Sequence, residues 1–489
     1  MELCKLIEKI DYTLVQGSIE DINIKAVVSD NRKVEKECLF VCIVGANFDG
    51  HSVALDVAKM GAAAIVISKD IENLPANVTV IKVSDTRLAY ANISAAWFGH
   101  PAAKLTTIGI TGTKGKTTTT YLVKSMLENA GKKVGLVGTI EAIIGDEHIP
   151  AKNTTPESYV LQEYFAKMVE KGIDTVVMEV SSQALMMHRS AGFVFDIGVF
   201  TNIEPDHIGP NEHSDFDDYM NCKGLLFKQC RLGIVNGDDP HCEDVIANHT
   251  CQIKRFGFNS NNNYFAKDEE LITGPGFLGV SFGVSGDVDM SVTLRSPGRF
   301  SIMNALCAIA IADSLNIDKD IMVKSLLSAK VKGRIEIIHV KDEYTLMIDY
   351  AHNAMALESL LTTLKEYNPN RLISLFGCGG NRSKLRRFEM GEVSGKLADL
   401  TVITSDNPRF EEPLSIIADI KTGIDKTDGK YVEIPDRKEA IKYVIENGQP
   451  GDVIVLAGKG HEDYQEIEGK KYPMDERVII EDIKKELGL

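Results

Sequence analysis

Residues 108–127, IGITGTKGKTTTTYLVKSML, constrain the fold more than any other part of the chain. The apolar run LTTIGI reads as a short buried strand. A cluster of Gly, Thr and Lys breaks it, and TTTTYLVKSMLENAG then carries apolar residues at helical spacing up to Gly131. Strand, glycine-rich loop and helix in this order let backbone N–H groups turn toward an anion, and the helix start adds its partial positive charge. The loop Gly112, Thr113, Lys114, Gly115 leads into Lys116, which can reach the outer phosphates of a nucleotide. Thr117 offers a hydroxyl to Mg2+, and Thr118 follows it in the first helical turn. The pattern is G-x-x-G-x-x-G-K-T-T. The commoner form has a glycine separated from the Gly-Lys pair by four residues, where this chain has Ile110. An incidental glycine-rich turn is the plain alternative; local order and spacing favour a bound nucleotide, ATP.

At 489 residues the chain is too long for one ordinary core, and about 150 residues per domain predicts about three. With 54 basic and 70 acidic residues the net charge is -16, which disfavours coating nucleic acid or an anionic membrane. Anionic substrates would then bind only at local basic sites. Nine cysteines without a Cys-x-x-Cys pair indicate neither a zinc site nor a disulfide framework. The start, MELCKLIEKIDY, is charged and amphipathic, and no run of eighteen apolar residues occurs. We therefore expect a soluble, cytoplasmic protein with small-molecule partners, no nucleic acid and no membrane; a monomer is the accompanying expectation, not one that composition supplies.

Residues 1–100 mix short strand-like runs (CLFVCIVG, AAAIVISKD, VTVIKVSD) with helical pieces, a small α/β unit. Residues 101–333 begin at Pro101, carry the phosphate loop and alternate strands with helices, as a largely parallel sheet requires. In residues 334–489, four strands (YTLMIDYAHN, RLISLFGCGG, LTVITSDNP, DVIVLAGKGHEDY) each run into a loop rich in Gly, Asp, His or Asn. Such strand ends are where open α/β sheets bind ligands.

Several polar clusters qualify as sites. Glu179 ends the strand VVMEVSS, and Asp206, His207 and Lys223 follow another strand. Mg2+ prefers oxygen ligands, so Thr117 and Glu179 suit it; for His207, a metal ligand and a hydrogen-bonded loop residue both stay open. Arg334, in GRIE, could lie across ATP phosphates or form a surface salt bridge. Arg382, Lys384, Arg386 and Arg387 form a basic patch that reads equally as a solvated charge run. Asp406, Asn407 and Arg409 surround a turn fixed by Pro408, and a guanidinium on a rigid turn suits bidentate carboxylate recognition.

Taken together, the phosphate loop, NTTPES, MEVSSQAL, TNIEPDHI, YMNCKGLLF, GRIE, DYAHN, GCGGNRSKLRR, SDNPR and AGKGHEDYQ resemble the Mur ligases of peptidoglycan synthesis over essentially the whole chain. Among these the chain is most similar to the branch that adds the third amino acid to UDP-N-acetylmuramoyl-L-alanyl-D-glutamate. The resemblance implies an α/β protein of three domains: an N-terminal one for the UDP-sugar, a central P-loop ATPase-like parallel sheet and a Rossmann-like C-terminal domain for the amino acid. It implies amide synthesis through an acyl phosphate, with ATP and two Mg2+ ions. By position, Lys116 and Thr117 would hold phosphate and metal, Glu179 and His207 metal, and Lys223 would be the lysine that family members carry as a carbamate, an anionic metal ligand. Asn304, Arg334 and Asp349 match nucleotide positions. Ser29, Asn31, Thr154, Thr155, Ser181 and Arg189 match contacts to the UDP-sugar-dipeptide. Arg387, Asp406, Asn407, Pro408, Arg409, Gly458 and Glu462 match the amino-acid pocket, and DNPR resembles the form that accepts meso-diaminopimelate in place of L-lysine.

The chain departs from the family's usual pattern at Lys114, at Asn31, at Met187, and in the residues after His352, which lack a Thr-Pro pair. Folylpolyglutamate synthetase shares the ATP domain and is the rival enzyme. A nucleotide-driven switch and a scaffold are the non-ligase readings, and the presence of Lys116, Glu179, His207 and Lys223 speaks against a scaffold.

Overall fold

The computed structural model describes every residue except Ala46, His207, Pro210 and Asn211. The chain forms two compact units, Met1–Tyr264 with Cys307–Asp318, and Phe265–Leu306 with Lys319–Leu489.

The first unit holds two sheets. The N-terminal sheet has five strands in the order Thr13–Gln16, Thr79–Lys82, Ala64–Ile67, Cys38–Val41, Ala26–Val28; only the first pair is antiparallel. Its central strands, CLFV and AIVI, are buried at every position, which is why they read as continuous apolar runs rather than alternating ones. The second sheet places Thr106–Thr111 between Phe195–Phe200 and Thr175–Glu179, with Cys230–Asn236 and Gln252–Gly257 on one side and Val134–Val137 on the other, all parallel. Phe165, Met168, Met178, Phe200 and Phe227 fill part of its core. Gly109 lies in the middle of the phosphate-loop strand, where a Cβ would sit 2.7 Å from the ring of Phe195. A larger residue would push that ring out of the core.

The second unit contains a parallel sheet in the order Thr345–Asp349, Val453–Ala457, Leu372–Phe376, Leu400–Ile403, Tyr431–Glu433, with Glu336–Ile338 antiparallel at one edge. Apolar clusters cover both faces. The unit also has a meander that sequence reading missed: Tyr264–Gly274, Phe277–Gly286 and Met290–Leu294, the last two paired antiparallel. The expectation of strands alternating with helices up to residue 333 fails there. The run DEELITGPGF turns within Gly274, Pro275 and Gly276, and its first strand is mostly exposed, so its apolar periodicity is weak. Among the described residues no helix is long and apolar enough to cross a membrane.

Candidate active site

The phosphate loop links Thr106–Thr111 to the helix Lys116–Asn129. Gly115 has φ +84, a region L side chains avoid, and a Cβ on Gly112 would sit 2.0 Å from Thr201 Oγ1. The neighbouring strand exit holds the loop in shape. Asn202 O accepts the Thr113 N–H at 2.9 Å, Asn202 Oδ1 accepts the Lys114 N–H at 2.8 Å, and Thr201 Oγ1 donates to Lys114 O at 2.7 Å. The Lys116 ammonium donates to Gly112 O at 2.7 Å and Thr113 O at 3.0 Å, while Lys114 pairs with Glu204 at 2.7 Å. Thr118 is half-buried on the first helical turn.

Glu179 is 1 % exposed at the end of its strand. Both its carboxylate oxygens lie 3.0 Å from Thr117 Oγ1, and they accept the Thr139 N–H at 2.8 Å and the Thr139 hydroxyl at 3.0 Å. All these partners are neutral. Gly138 makes room, since a Cβ there would meet Glu179 Oε1 at 2.5 Å. Thr154 bonds Thr139 hydroxyl to hydroxyl at 3.1 Å; Thr155 donates to Glu179 O and accepts the Ser181 N–H; Ser181 caps the helix Ser182–Met186. Arg189 pairs with Glu157 at 2.9 Å.

Lys223 is 2 % exposed on the helix Phe216–Gly224, its Nζ 4.2 Å from the ring centroid of Tyr219. Burial, and then the Lys116 charge, push its ammonium well below the usual lysine range, against a smaller pull from Asp206. Tyr219 OH lies 3.1 Å from Thr113 Oγ1 and so joins this helix to the phosphate loop. The metal reading of His207 lies outside the described residues. Thr139 and Tyr219 were missed in the sequence, because neither carries a charge and both matter only through contacts across the fold.

Also in the first unit, a cavity of about 660 Å³ is lined by Ser29, Asp30, Lys33, Arg87, Tyr90 and Met187, among others. Asn31 is not among the lining residues; it opens a short helical turn capped by Asp30.

In the second unit the candidate residues gather at the C-terminal ends of the parallel strands. Asp349 accepts the N–H groups of Ile335 and Ala351 at 2.9 and 2.8 Å; burial pushes its carboxyl up, against the pull of Arg334. Arg334 stacks over Tyr350 at 4.7 Å. Asn304 is half-buried on the helix Arg299–Ser314. Arg387 is 1 % exposed, and its guanidinium is taken up by Glu411 on both terminal nitrogens and by Asp419 at 2.9 Å. Of its basic neighbours, Arg382 and Lys384 are exposed.

Asp406 and Asn407 are buried, whereas Arg409 has φ +54 and bonds Glu466 Oε2 through Nε at 2.9 Å and Gly380 O through Nη1 at 2.8 Å. Pro408 packs against Gly380, where a Cβ would meet Pro408 O at 1.9 Å. Gly458, at φ +103, passes Asp406 so closely that a Cβ would meet Oδ2 at 3.0 Å. Glu462 accepts from Asn407 Nδ2 at 2.9 Å. Lys459, between Gly458 and Gly460, was also missed; a lysine between two glycines reads as a loop charge, yet its side chain is fully buried.

One pH effect follows from this region. His461 beside Tyr350 is held down to about 4, chiefly by burial and then by Arg334, Lys332 and Arg477. The unfolded chain protonates this group first, near 6.5, so its contribution to stability is whole above that pH. That contribution is lost as pH falls toward 4, by at most about 3 kcal/mol. In urea melts from pH 7 to 4.5, His461→Gln should lose stability less steeply than wild type; equal slopes would rule the effect out.

Comparison with known proteins identifies the family. Three family models match: "Mur ligase family, catalytic domain" over residues 23–98, "Mur ligase middle domain" over 110–312, and "Mur ligase, glutamate ligase domain" over 333–460. A relative from Caldanaerobacter subterraneus subsp. tengcongensis is 42% identical over 485 residues, 99% of each chain, and one from Clostridium perfringens is 39% identical over 490 residues, again 99% of each. Both carry the name UDP-N-acetylmuramoyl-L-alanyl-D-glutamate--2,6-diaminopimelate ligase. A solved structure of a protein of that name matches at 27% identity with a TM-score of 0.74, covering 100% of this chain and 99% of its own. With the matched models spread along its length and relatives near 40% identity from end to end, the chain is a three-domain α/β enzyme that belongs to the Mur ligase family.

Proposed function

We propose that the protein is an ATP-dependent, ADP-forming ligase that joins meso-diaminopimelate to UDP-N-acetylmuramoyl-L-alanyl-D-glutamate. The observation that carries the choice of amino acid is Arg409, set on a Pro-fixed turn beside Asp406, Asn407 and Glu462, where a guanidinium can meet the distal carboxylate that L-lysine lacks. Relatives carrying that activity in their names, near 40% identical over the full chain, support the reaction itself.

In this reading residues 1–100 take the UDP-sugar, 101–333 ATP, and 334–489 the amino acid. The cavity at Ser29, with Asn31 nearby, takes the uridine end, and Thr154, Thr155, Ser181 and Arg189 the sugar-dipeptide. The loop Gly112–Thr118 cradles the ATP phosphates and Lys116 holds the outer ones; the family resemblance gives Asn304, Arg334 and Asp349 nucleotide roles of their own. The D-glutamate γ-carboxylate attacks the γ-phosphorus, releasing ADP and forming an acyl phosphate. The diaminopimelate amine attacks the acyl carbon, loses a proton, and phosphate leaves as the amide forms. The chain's contribution is to gather anionic reactants around fixed cations and to keep water from the acyl phosphate.

Buried oxygen donors at Thr117 and Glu179, 3.0 Å apart, fit Mg2+. By the family resemblance His207 and Lys223, as its carbamate, would complete the donor set. The depressed ammonium of Lys223 suits that change, since the neutral amine adds to CO2 and releases a proton to give an anionic oxygen donor. When bound, Mg2+ neutralises charge building on the transferring phosphoryl group. We place the enzyme in the cytoplasm, as a monomer.

The test is ADP release with UDP-N-acetylmuramoyl-L-alanyl-D-glutamate and either meso-diaminopimelate, L-lysine or no amine, with the product mass checked. Turnover should require diaminopimelate. Turnover with L-lysine alone would overturn the role given to Arg409. Turnover only with a folate acceptor and glutamate would favour the folylpolyglutamate synthetase reading, and amine-independent hydrolysis a switch.

A further inference from the structure

In the second unit the Lys459 side chain is 0 % exposed and its ammonium makes three bonds, to Asn407 Oδ1 at 3.0 Å, Glu462 Oε2 at 3.0 Å and Tyr464 O at 2.5 Å. Asp406 Oδ1 lies 3.7 Å away. An ammonium has three protons, so all of its donors are spent inside the protein. Burying such a group is expensive unless it is paired and bonded, so this one is fixed in place by its partners as firmly as it fixes them.

Two consequences follow for the groups around it. The first concerns charge: one cation among the two carboxylates of Asp406 and Glu462 leaves a single negative charge, which suits one substrate ammonium. The second is orientation. Because Asn407 Oδ1 accepts from Lys459 and from the Glu466 N–H at 2.9 Å, its amide nitrogen faces Glu462 and cannot flip without breaking both bonds. That second bond extends the network. Glu466 begins from an anchored backbone N–H, and its carboxylate holds Arg409 Nε; the Arg409 backbone bonds Glu466 O at 2.9 Å and Glu468 N–H at 2.7 Å, fixing it at φ +54. The strand Tyr464–Ile467 thus ties the Arg409 fork to the buried lysine through Asn407 and Glu466.

We propose that Lys459 is a positioning residue for the incoming amino acid, acting through Asn407 and Glu466 to preset one subsite for an ammonium and one for a carboxylate, so that the pocket receives the zwitterionic end of a diamino diacid. This rests on the substrate class proposed above. Lys459 touches only its protein partners, and its effect reaches the substrate through them.

The test uses the full-length enzyme. Lys459→Gln keeps a donor and removes the charge; its KM for meso-diaminopimelate should rise roughly tenfold or more, while the KM values for ATP and the UDP-sugar-dipeptide stay within about twofold. A folded Lys459→Gln with unchanged amino-acid KM overturns the proposal, and so does an equal rise in all three KM values, which would mark a general structural role. Should Lys459→Gln fail to fold, Glu466→Gln decides. A preference for diaminopimelate over L-lysine narrowed at least about fivefold supports the network, and an unchanged preference overturns it. If wild type accepts L-lysine alone, the substrate reading falls by itself, and the Lys459→Gln comparison is then made with L-lysine, where the same split in KM is expected.

Discussion

Replacing Lys223 with alanine is expected to lower kcat by about three orders of magnitude, the loss of roughly 4 kcal/mol that a metal-holding anion supplies in the transition state. Burial is the root of this expectation. A lysine 2 % exposed near another cation, Lys116, is disfavoured as an ammonium, so its neutral form is unusually accessible at ordinary pH. A neutral amine in that place can take up CO2, whereas a protonated one would repel the cation that Thr117 and Glu179 suit. The alanine variant leaves a space the length of the missing side chain beside Tyr219, so acetate at high concentration should restore part of the rate. Intact protein mass by gentle ionisation, and activity after removal of dissolved CO2, check the same point without mutation. A wild-type enzyme indifferent to CO2, together with an alanine variant that keeps more than a tenth of the rate, would leave Lys223 no part in holding metal.

Arg409→Ala should raise KM for meso-diaminopimelate by about thirty- to a hundredfold, as loss of a charge-assisted pair of about 2–3 kcal/mol predicts. Its effect on kcat should be small if the distal carboxylate is held equally in ground and transition states. Use of L-lysine, which has no carboxylate at that end, should change little. Steady-state kinetics with each amine separate these outcomes. An equal loss for both amines would mean that Arg409 supports the turn rather than reads the substrate, and its positive φ makes that a real contest.

How much of this could be read from the chain depended on the range of the interactions involved. The phosphate loop was legible because its logic is local: a strand, two glycines and a lysine within ten residues. The loops after the parallel strands of the second unit were legible for a related reason, since glycine and aspartate clusters interrupt runs buried on both faces. Thr139 was not, because a threonine becomes a partner of Glu179 only when Val134–Val137 and Thr175–Glu179 lie side by side. Lys459 read as a loop charge because nothing in Gly-Lys-Gly announces that Asn407, from another strand end, will join Glu462 and Tyr464 of its own loop in enclosing it. Arg387 marks the opposite case. The sequence left it open between a solvated charge run and, through the family resemblance, the amino-acid pocket, and the fold buries its guanidinium against Glu411 and Asp419. The meander of the second unit went unseen because its first strand is exposed on most residues, so no apolar rhythm marks it.

The carboxylate of Glu179 has a meaning for how such a chain evolves. A charge buried among hydroxyl and amide groups is a weak way to join strand ends, and a neutral side chain of similar shape would hold the sheet at least as well. Selection for heat resistance alone would drift away from glutamate here, and from the glycine at 138 that leaves it room. A lineage that stopped making its product would therefore be free to lose the glutamate here, while the sheet around it stayed intact.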